Sequence, residues 1–221
     1  NVIEPRNCRL DQKVVATSIA DIGILLVDKP SGLLTVPGRF EPDCLLTRVQ
    51  ETYPSAKVCH RLDRDTSGVL AMALNAKTHR DISQQFETRQ TTKQYTALVA
   101  GHLQDEHGMV DLPIGKAMTE EGYNQWVIGG SKPREAQTEW NVEARLRQDE
   151  FCYTRVLLRP LTGRGHQIRL HMQAMGHPLL GDTLHAPEEI ATATPRLCLH
   201  ATQLDFQVDG VPVEAWIASP F

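Results

Sequence analysis

Alternation of apolar and polar side chains is clearest in the middle of the chain. Thr138, Trp140, Val142, Ala144 and Leu146 interleave with Glu139, Asn141, Glu143, Arg145 and Arg147. A period of two puts one set on a buried face and the other in water, as in a half-buried antiparallel strand. Shorter apolar runs predict strands at residues 22–27, 68–74 and 94–100, the last with Tyr95, Ala97 and Val99 on one face. The first run is closed by Lys29-Pro30-Ser31-Gly32, where proline fixes φ and glycine admits the left-handed region. Asp209-Gly210 lies between Leu204, Phe206, Val208 and Val211, Val213, Ala215, a two-residue hairpin signal.

Helical spacing is rarer. Asn75 can cap a helix running to about Arg89, with Ile82 and Phe86 four apart on its inner face. A shorter helix from about His166 to Met175 stops at Gly176, a residue suited to a left-handed cap. Along it His166, Arg169 and Gln173 share one face, while Ile168, His171 or Met172, and Met175 fall on a core side. Residues 117–134, with Gly122, Gly129, Gly130 and Pro133, read as a long excursion or mobile loop. Strands outnumber helices and neighbours read as antiparallel, which gives the α+β class.

The chain has 221 residues, enough to bury a core without disulfides or metal staples. The reading is an N-terminal extension at 1–20 and one domain at 21–221. Its longest apolar run, Val69 to Leu74, has six residues, against about 20 for a bilayer span. Residues 1–9 carry no apolar secretory segment. Cys8, Cys44, Cys59, Cys152 and Cys198 never pair as C-x-x-C, which argues against a disulfide framework or a thiolate zinc site. A cytoplasmic protein with no membrane partner is expected, and a monomer.

Net charge is −4, but its distribution is uneven. Between Tyr153 and Gly181 stand four arginines, three histidines and no acid. Residues 182–221 carry six acids and one arginine, and residues 101–150 ten acids against five lysines and arginines. An acid-free stretch between acidic flanks suits a local anion-binding face.

Two segments concentrate chemistry. His60-Arg61-Leu62-Asp63-Arg64-Asp65-Thr66-Ser67-Gly68 packs two carboxylates, two arginines, a histidine and two hydroxyls in front of an apolar run. It reads either as a charged turn tied down by its hydroxyls or as an aspartate kept ionised by arginines, ready as nucleophile or base. In Leu161-Thr162-Gly163-Arg164-Gly165-His166-Gln167-Ile168-Arg169-Leu170-His171, glycines lead into a helix start, where backbone donors, dipole and cations converge. His166 and His171 are five apart and lack a neighbouring carboxylate, so no metal is expected. No Rossmann, P-loop or G-x-S-x-G signature is present. Tyr95, in Lys93-Gln94-Tyr95, reads as a core or interface aromatic, or as a platform for a nucleobase.

Together with Val27-Asp28-Lys29-Pro30-Ser31-Gly32 and Gly176-His177-Pro178-Leu179-Leu180-Gly181-Asp182, these motifs resemble the RluA family of pseudouridine synthases, in order and from about Ile22 onward. The resemblance implies the pseudouridine synthase fold, with a largely antiparallel or mixed central sheet flanked by helices and loops. It implies a compact catalytic domain without an S4-type RNA-binding domain. It also implies isomerisation of uridine to pseudouridine in a ribosomal or transfer RNA stem-loop, with no cofactor. Asp63 would be the catalytic residue, by addition at C1′, addition at C6, or as a base at C2′. Tyr95 would stack on the target base and help remove the C5 proton, and Arg169 would pair with Asp63. Arg61 resembles an arginine that contacts RNA near the extruded nucleotide; His60, Arg64, Arg164 and His166 join it as expected RNA contacts. The competing reading, an inactive RNA-binding or RNA-chaperone module, would predict loss of Asp63, Tyr95 or Arg169; all three are present.

Overall fold

A computed structural model describes residues 15–120 and 122–221. The expected extension lies outside the described residues up to position 14, as does Cys8. The described residues begin with β1 (Val15–Ile19), β2 (Ile24–Lys29), α1 (Leu45–Gln50), β3 (Lys57–Val58) and β4 (Ser67–Ala73). There follow α2 (Ala76–Glu87), β5 (Thr92–Ala100), β6 (His107–Asp111), β7 (Ile114–Met118), β8 (Asn124–Ile128) and β9 (Ser131–Arg134). The last elements are β10 (Gln137–Gln148), β11 (Phe151–Pro160), α3 (Gln167–Ala174), α4 (Glu188–Ala191), β12 (Leu199–Val208) and β13 (Val211–Trp216). The class is α+β. Among the described residues two compact units form, one from Tyr95–Cys198 with Phe221, the other from residues 15–94 with Leu199–Pro220.

In the unit that holds Leu199–Pro220, β4 is central and buried at every position. That explains its unbroken apolar run, since a strand covered on both faces has no reason to alternate. β2 pairs with it antiparallel, Lys29 opposite Gly68. β12 pairs with it in parallel, His200 opposite Ser67. The approach is close: a Cβ on Gly68, whose φ is +115°, would sit 2.2 Å from the Ala201 carbonyl oxygen. β1 extends the edge beyond β2, Val15 opposite Asp28. β12 and β13 form the predicted hairpin, with Asp209 and Gly210 both at positive φ, as a type I′ turn requires. Asn75 caps α2, its Oδ1 accepting from the Thr78 amide at 2.9 Å. Gln85 of α2 exchanges two hydrogen bonds with the Gln207 backbone, locking helix to sheet.

In the other unit β6, β10, β11 and β5 lie side by side, all antiparallel. The predicted alternation in β10 holds, with Thr138 and Trp140 buried and a bulge between Val142 and Ala144. Two expectations fail here. Residues 117–134 are not an open loop: β7, β8 and β9 form a three-stranded antiparallel sheet, turning at glycines with positive φ. Nor is α3 two-faced. Every residue from Gln167 to Met172 is buried, Arg169 of the expected polar face included; His171, on the core side as expected, is held by Thr138 Oγ1 at 2.9 Å and the Leu112 carbonyl at 3.0 Å.

Candidate active site

Asp63 stands on a loop whose backbone is gripped on both sides. Thr35 Oγ1 donates to the Leu62 carbonyl at 2.8 Å and accepts from the Leu62 amide at 3.3 Å. Beyond Asp63, the Lys29 ammonium donates to the carbonyls of Arg64 at 2.8 Å, Leu33 at 2.6 Å and Pro30 at 2.9 Å. The Gly32 amide reaches the Arg64 carbonyl at 2.9 Å, and Ser31 Oγ donates to the Asp65 carbonyl at 2.7 Å. Lys29 has no exposed surface; a buried ammonium is tolerable because carbonyl dipoles converge on it. The turn closes on itself through the Thr66 amide and the Asp63 carbonyl. Leu62 and Thr66 are buried, while the Asp63 side chain is half-exposed.

The other polar residues of this loop divide by direction. Arg61 and Arg64 are exposed, and Arg64 pairs with Glu41 at 3.2 Å. His60 turns inward: Nε2 accepts the Ala71 amide at 3.0 Å, and its ring stacks on Phe86 with centroids 4.2 Å apart. Burial, then the charge of Lys93, push its pKa down to about 3, so the ring is neutral. Burial, then the charge of Arg89, bring Lys93 down to about 8. Ser67 Oγ meets His200 Nδ1 at 2.8 Å. Burial lifts the Cys59 thiol to about 12, leaving it protonated and unreactive.

Tyr95 and Arg169 belong to the other unit. Tyr95 is half-buried on β5, opposite Leu158 of β11. Ahead of α3, Gln167 Oε1 accepts from Thr162 Oγ1 at 2.7 Å and from the Arg164 amide at 3.0 Å, which stitches the turn to the helix. Gly165 is needed because a Cβ would fall 2.2 Å from Trp126 Nε1 on β8. His166 caps the helix at φ +54° and meets His185, Nδ1 to Nε2, at 2.8 Å. Arg164 Nε donates to the Glu135 carbonyl at 3.0 Å.

Arg169 makes a two-point ion pair with Asp182, Nε to Oδ2 at 2.9 Å and Nη2 to Oδ1. Both side chains are almost wholly buried, at 2 % and 1 % exposure. Burial raises the Asp182 carboxyl, but the bond and charge of Arg169, the Leu184 amide and His185 outweigh it and hold it below the usual carboxylate range. Asp182 Oδ1 also accepts the Leu184 and His185 amides, joining Arg169 to the turn that meets His166. Lys29, Asp182 and His185 thus complete the two clusters. The first two lie in motifs noted in the sequence, yet spacing assigned them no task. Among the described residues no group of three or more His, Cys, Asp or Glu could hold a metal ion.

Residues 23–174 match the RNA pseudouridylate synthase family. The chain belongs to that family. The dual-specificity RNA pseudouridine synthase RluA of Salmonella typhi is 45% identical over 186 residues, 83% of this chain and 83% of that protein. Its counterpart from Vibrio parahaemolyticus is 41% identical over 204 residues, 91% of this chain and 80% of that protein. Among solved structures, human RNA pseudouridylate synthase domain containing 1 superposes with a TM-score of 0.83 at 30% identity, covering 95% of this chain and 85% of that one. The family makes the chain an RNA-directed isomerase. No helix among the described residues is long and apolar enough to cross a membrane.

Proposed function

We propose that this enzyme isomerises uridine in ribosomal RNA, transfer RNA or both, that Asp63 is the carboxylate on which the reaction turns, and that it works as a cytoplasmic monomer. The RluA relatives of dual specificity support the choice of RNA. One observation carries the role of Asp63: it is a half-exposed carboxylate whose neighbours Leu62 and Arg64 both have their backbone pinned. Such a mount holds a reactive group in one orientation without occupying its side chain. The C1′–N1 bond breaks, the base turns over, C1′ bonds to C5, the C5 proton leaves and N1 takes up a proton. Neither electrons nor water are consumed, so the balance requires no cofactor.

On this reading Tyr95 stacks on the target base and assists departure of the C5 proton, while Arg169, the charge partner expected for Asp63, carries its guanidinium on Asp182. Extruding the base costs a few kcal/mol. Stacking returns about 1–3 kcal/mol, and phosphate contacts by Arg61, Arg64, Arg164 and His166 add to it. The RNA contact expected of His60 is not part of this proposal, because its ring is committed to the Ala71 amide and to Phe86. The catalytic domain spans residues 21–221 in this reading. Asp63→Asn keeps the shape and removes the nucleophile, so turnover should vanish while RNA affinity stays within a few-fold; near-normal turnover would remove Asp63 from its role.

A further inference from the structure

Phe40 is 88 % exposed, more than any other large apolar side chain among the described residues. Its surroundings give that exposure a meaning. Residues 36–44 form a loop whose neck is closed by the Leu45 amide on the Leu34 carbonyl at 2.8 Å and the Leu46 amide on the Thr35 carbonyl at 3.2 Å. Near ends and a protruding middle make an Ω-type loop. Its tip is tightened by the Gly38 amide on the Glu41 carbonyl at 2.9 Å.

The loop is coupled to the turn that bears Asp63. Thr35, at its root, holds Leu62 through both backbone groups. Glu41, beside the tip, pairs with Arg64. The protrusion is therefore tied to both neighbours of the candidate catalytic aspartate. At the tip the Arg39 guanidinium lies 5.0 Å from the centre of the Phe40 ring, a cation–π arrangement. A flat ring in water, backed by a cation, suits a partner that is both aromatic and anionic. Nucleic acid offers both, a base for the ring and a phosphate for the guanidinium.

We propose that Phe40, backed by Arg39, is a stacking platform for a nucleobase of the substrate RNA next to the uridine presented to Asp63. This rests on the function proposed above. The loop's mooring at Leu62 and Arg64 would let the same contact set RNA register and the position of the reacting group.

Two measurements test it. RNA hairpins carrying 5-iodouridine at one loop position at a time are irradiated with the Asp63→Asn protein, and the adducts are mapped by mass spectrometry. An adduct at Phe40 is expected. In parallel, Phe40→Ala should weaken binding of the unmodified hairpin by on the order of tenfold, with unchanged melting temperature, and Phe40→Trp should recover most of the affinity. Unchanged affinity in Phe40→Ala, or adducts forming elsewhere and never at Phe40, would overturn the proposal. So would loss of self-association in place of RNA affinity, which would make Phe40 a protein contact. A wild-type enzyme that crosslinks through Phe40 but releases no C5 proton would uphold this contact and remove the proposed reaction.

Discussion

Lys29→Met keeps most of the side-chain volume and deletes the ammonium that gathers the Pro30, Leu33 and Arg64 carbonyls. Each hydrogen bond to a charged group contributes roughly 1.5–3 kcal/mol, so three are worth about 4.5–9 kcal/mol gross. Relief of the buried ammonium's desolvation, several kcal/mol, offsets much of that. The Arg64 carbonyl also keeps the Gly32 amide. A net loss of about 3 kcal/mol remains, which for a chain of this size lowers the melting temperature by roughly 6–12 °C. The diagnostic effect is on rate. Freed at Arg64, the turn can shift Asp63, and a displacement of about 1 Å costs on the order of a hundredfold in rate. Single-turnover assays at 25 °C, where circular dichroism shows the variant folded, should give a lowered kcat with RNA affinity within a few-fold of wild type. A folded Lys29→Met enzyme with wild-type kcat would refute the reasoning, because the clamp would then serve stability alone.

Further outcomes follow from the same geometry. Asp182→Asn breaks the buried pair with Arg169 and should cost about 3–5 kcal/mol, read by urea denaturation; Arg169→Ala should lose activity as well as stability, and a fully active Arg169→Ala enzyme contradicts its assigned role. His60 has a folded pKa of about 3 against 6.5 for the free ring. The unfolded chain therefore binds the extra proton between those values. The stability this neutral ring contributes is complete above pH 6.5 and is lost as pH falls toward 3, by at most about 1.4 kcal/mol per pH unit. His60→Gln should flatten that slope in denaturation series at pH 7, 5 and 4, and identical slopes would show that the ring protonates freely. Gly165→Ala must push back the Trp126 ring; altered Trp126 fluorescence and weaker RNA binding are expected, and wild-type affinity would show the Arg164–His166 turn to be tolerant.

Much of this architecture was legible in the residues. The β10 alternation, the Asp209-Gly210 hairpin, the Asn75 cap and the Gly176 stop each express a local rule that the fold does not override. What escaped depended on distant partners or unusual local chemistry. β7 to β9 were hidden because short strands between glycines carry too few residues for a period to show. α1 begins at Cys44, whose Sγ accepts the Thr47 amide at 3.4 Å; a thiol is not among the residues that announce a helix start. α3 looked two-faced because spacing cannot register that Asp182 covers Arg169 on the face expected to be polar. The motif residues around Asp63 were visible, but their division of labour was not. Nothing local shows that Lys29 reaches Arg64 across 35 positions, or that His60 faces Ala71 and Phe86. The Arg169 pair with Asp182 spans 13 residues and was likewise fixed by the fold.

The most direct test is release of tritium from RNA labelled at uridine C5, isolated from cells lacking this gene, with wild type and Asp63→Ala assayed side by side. Isomerisation must expel the C5 hydrogen, so release by wild type and none by Asp63→Ala is predicted. Equal release by both proteins would contradict the assignment of the reaction to Asp63, and no release by wild type from RNA that it binds would contradict the proposed reaction itself.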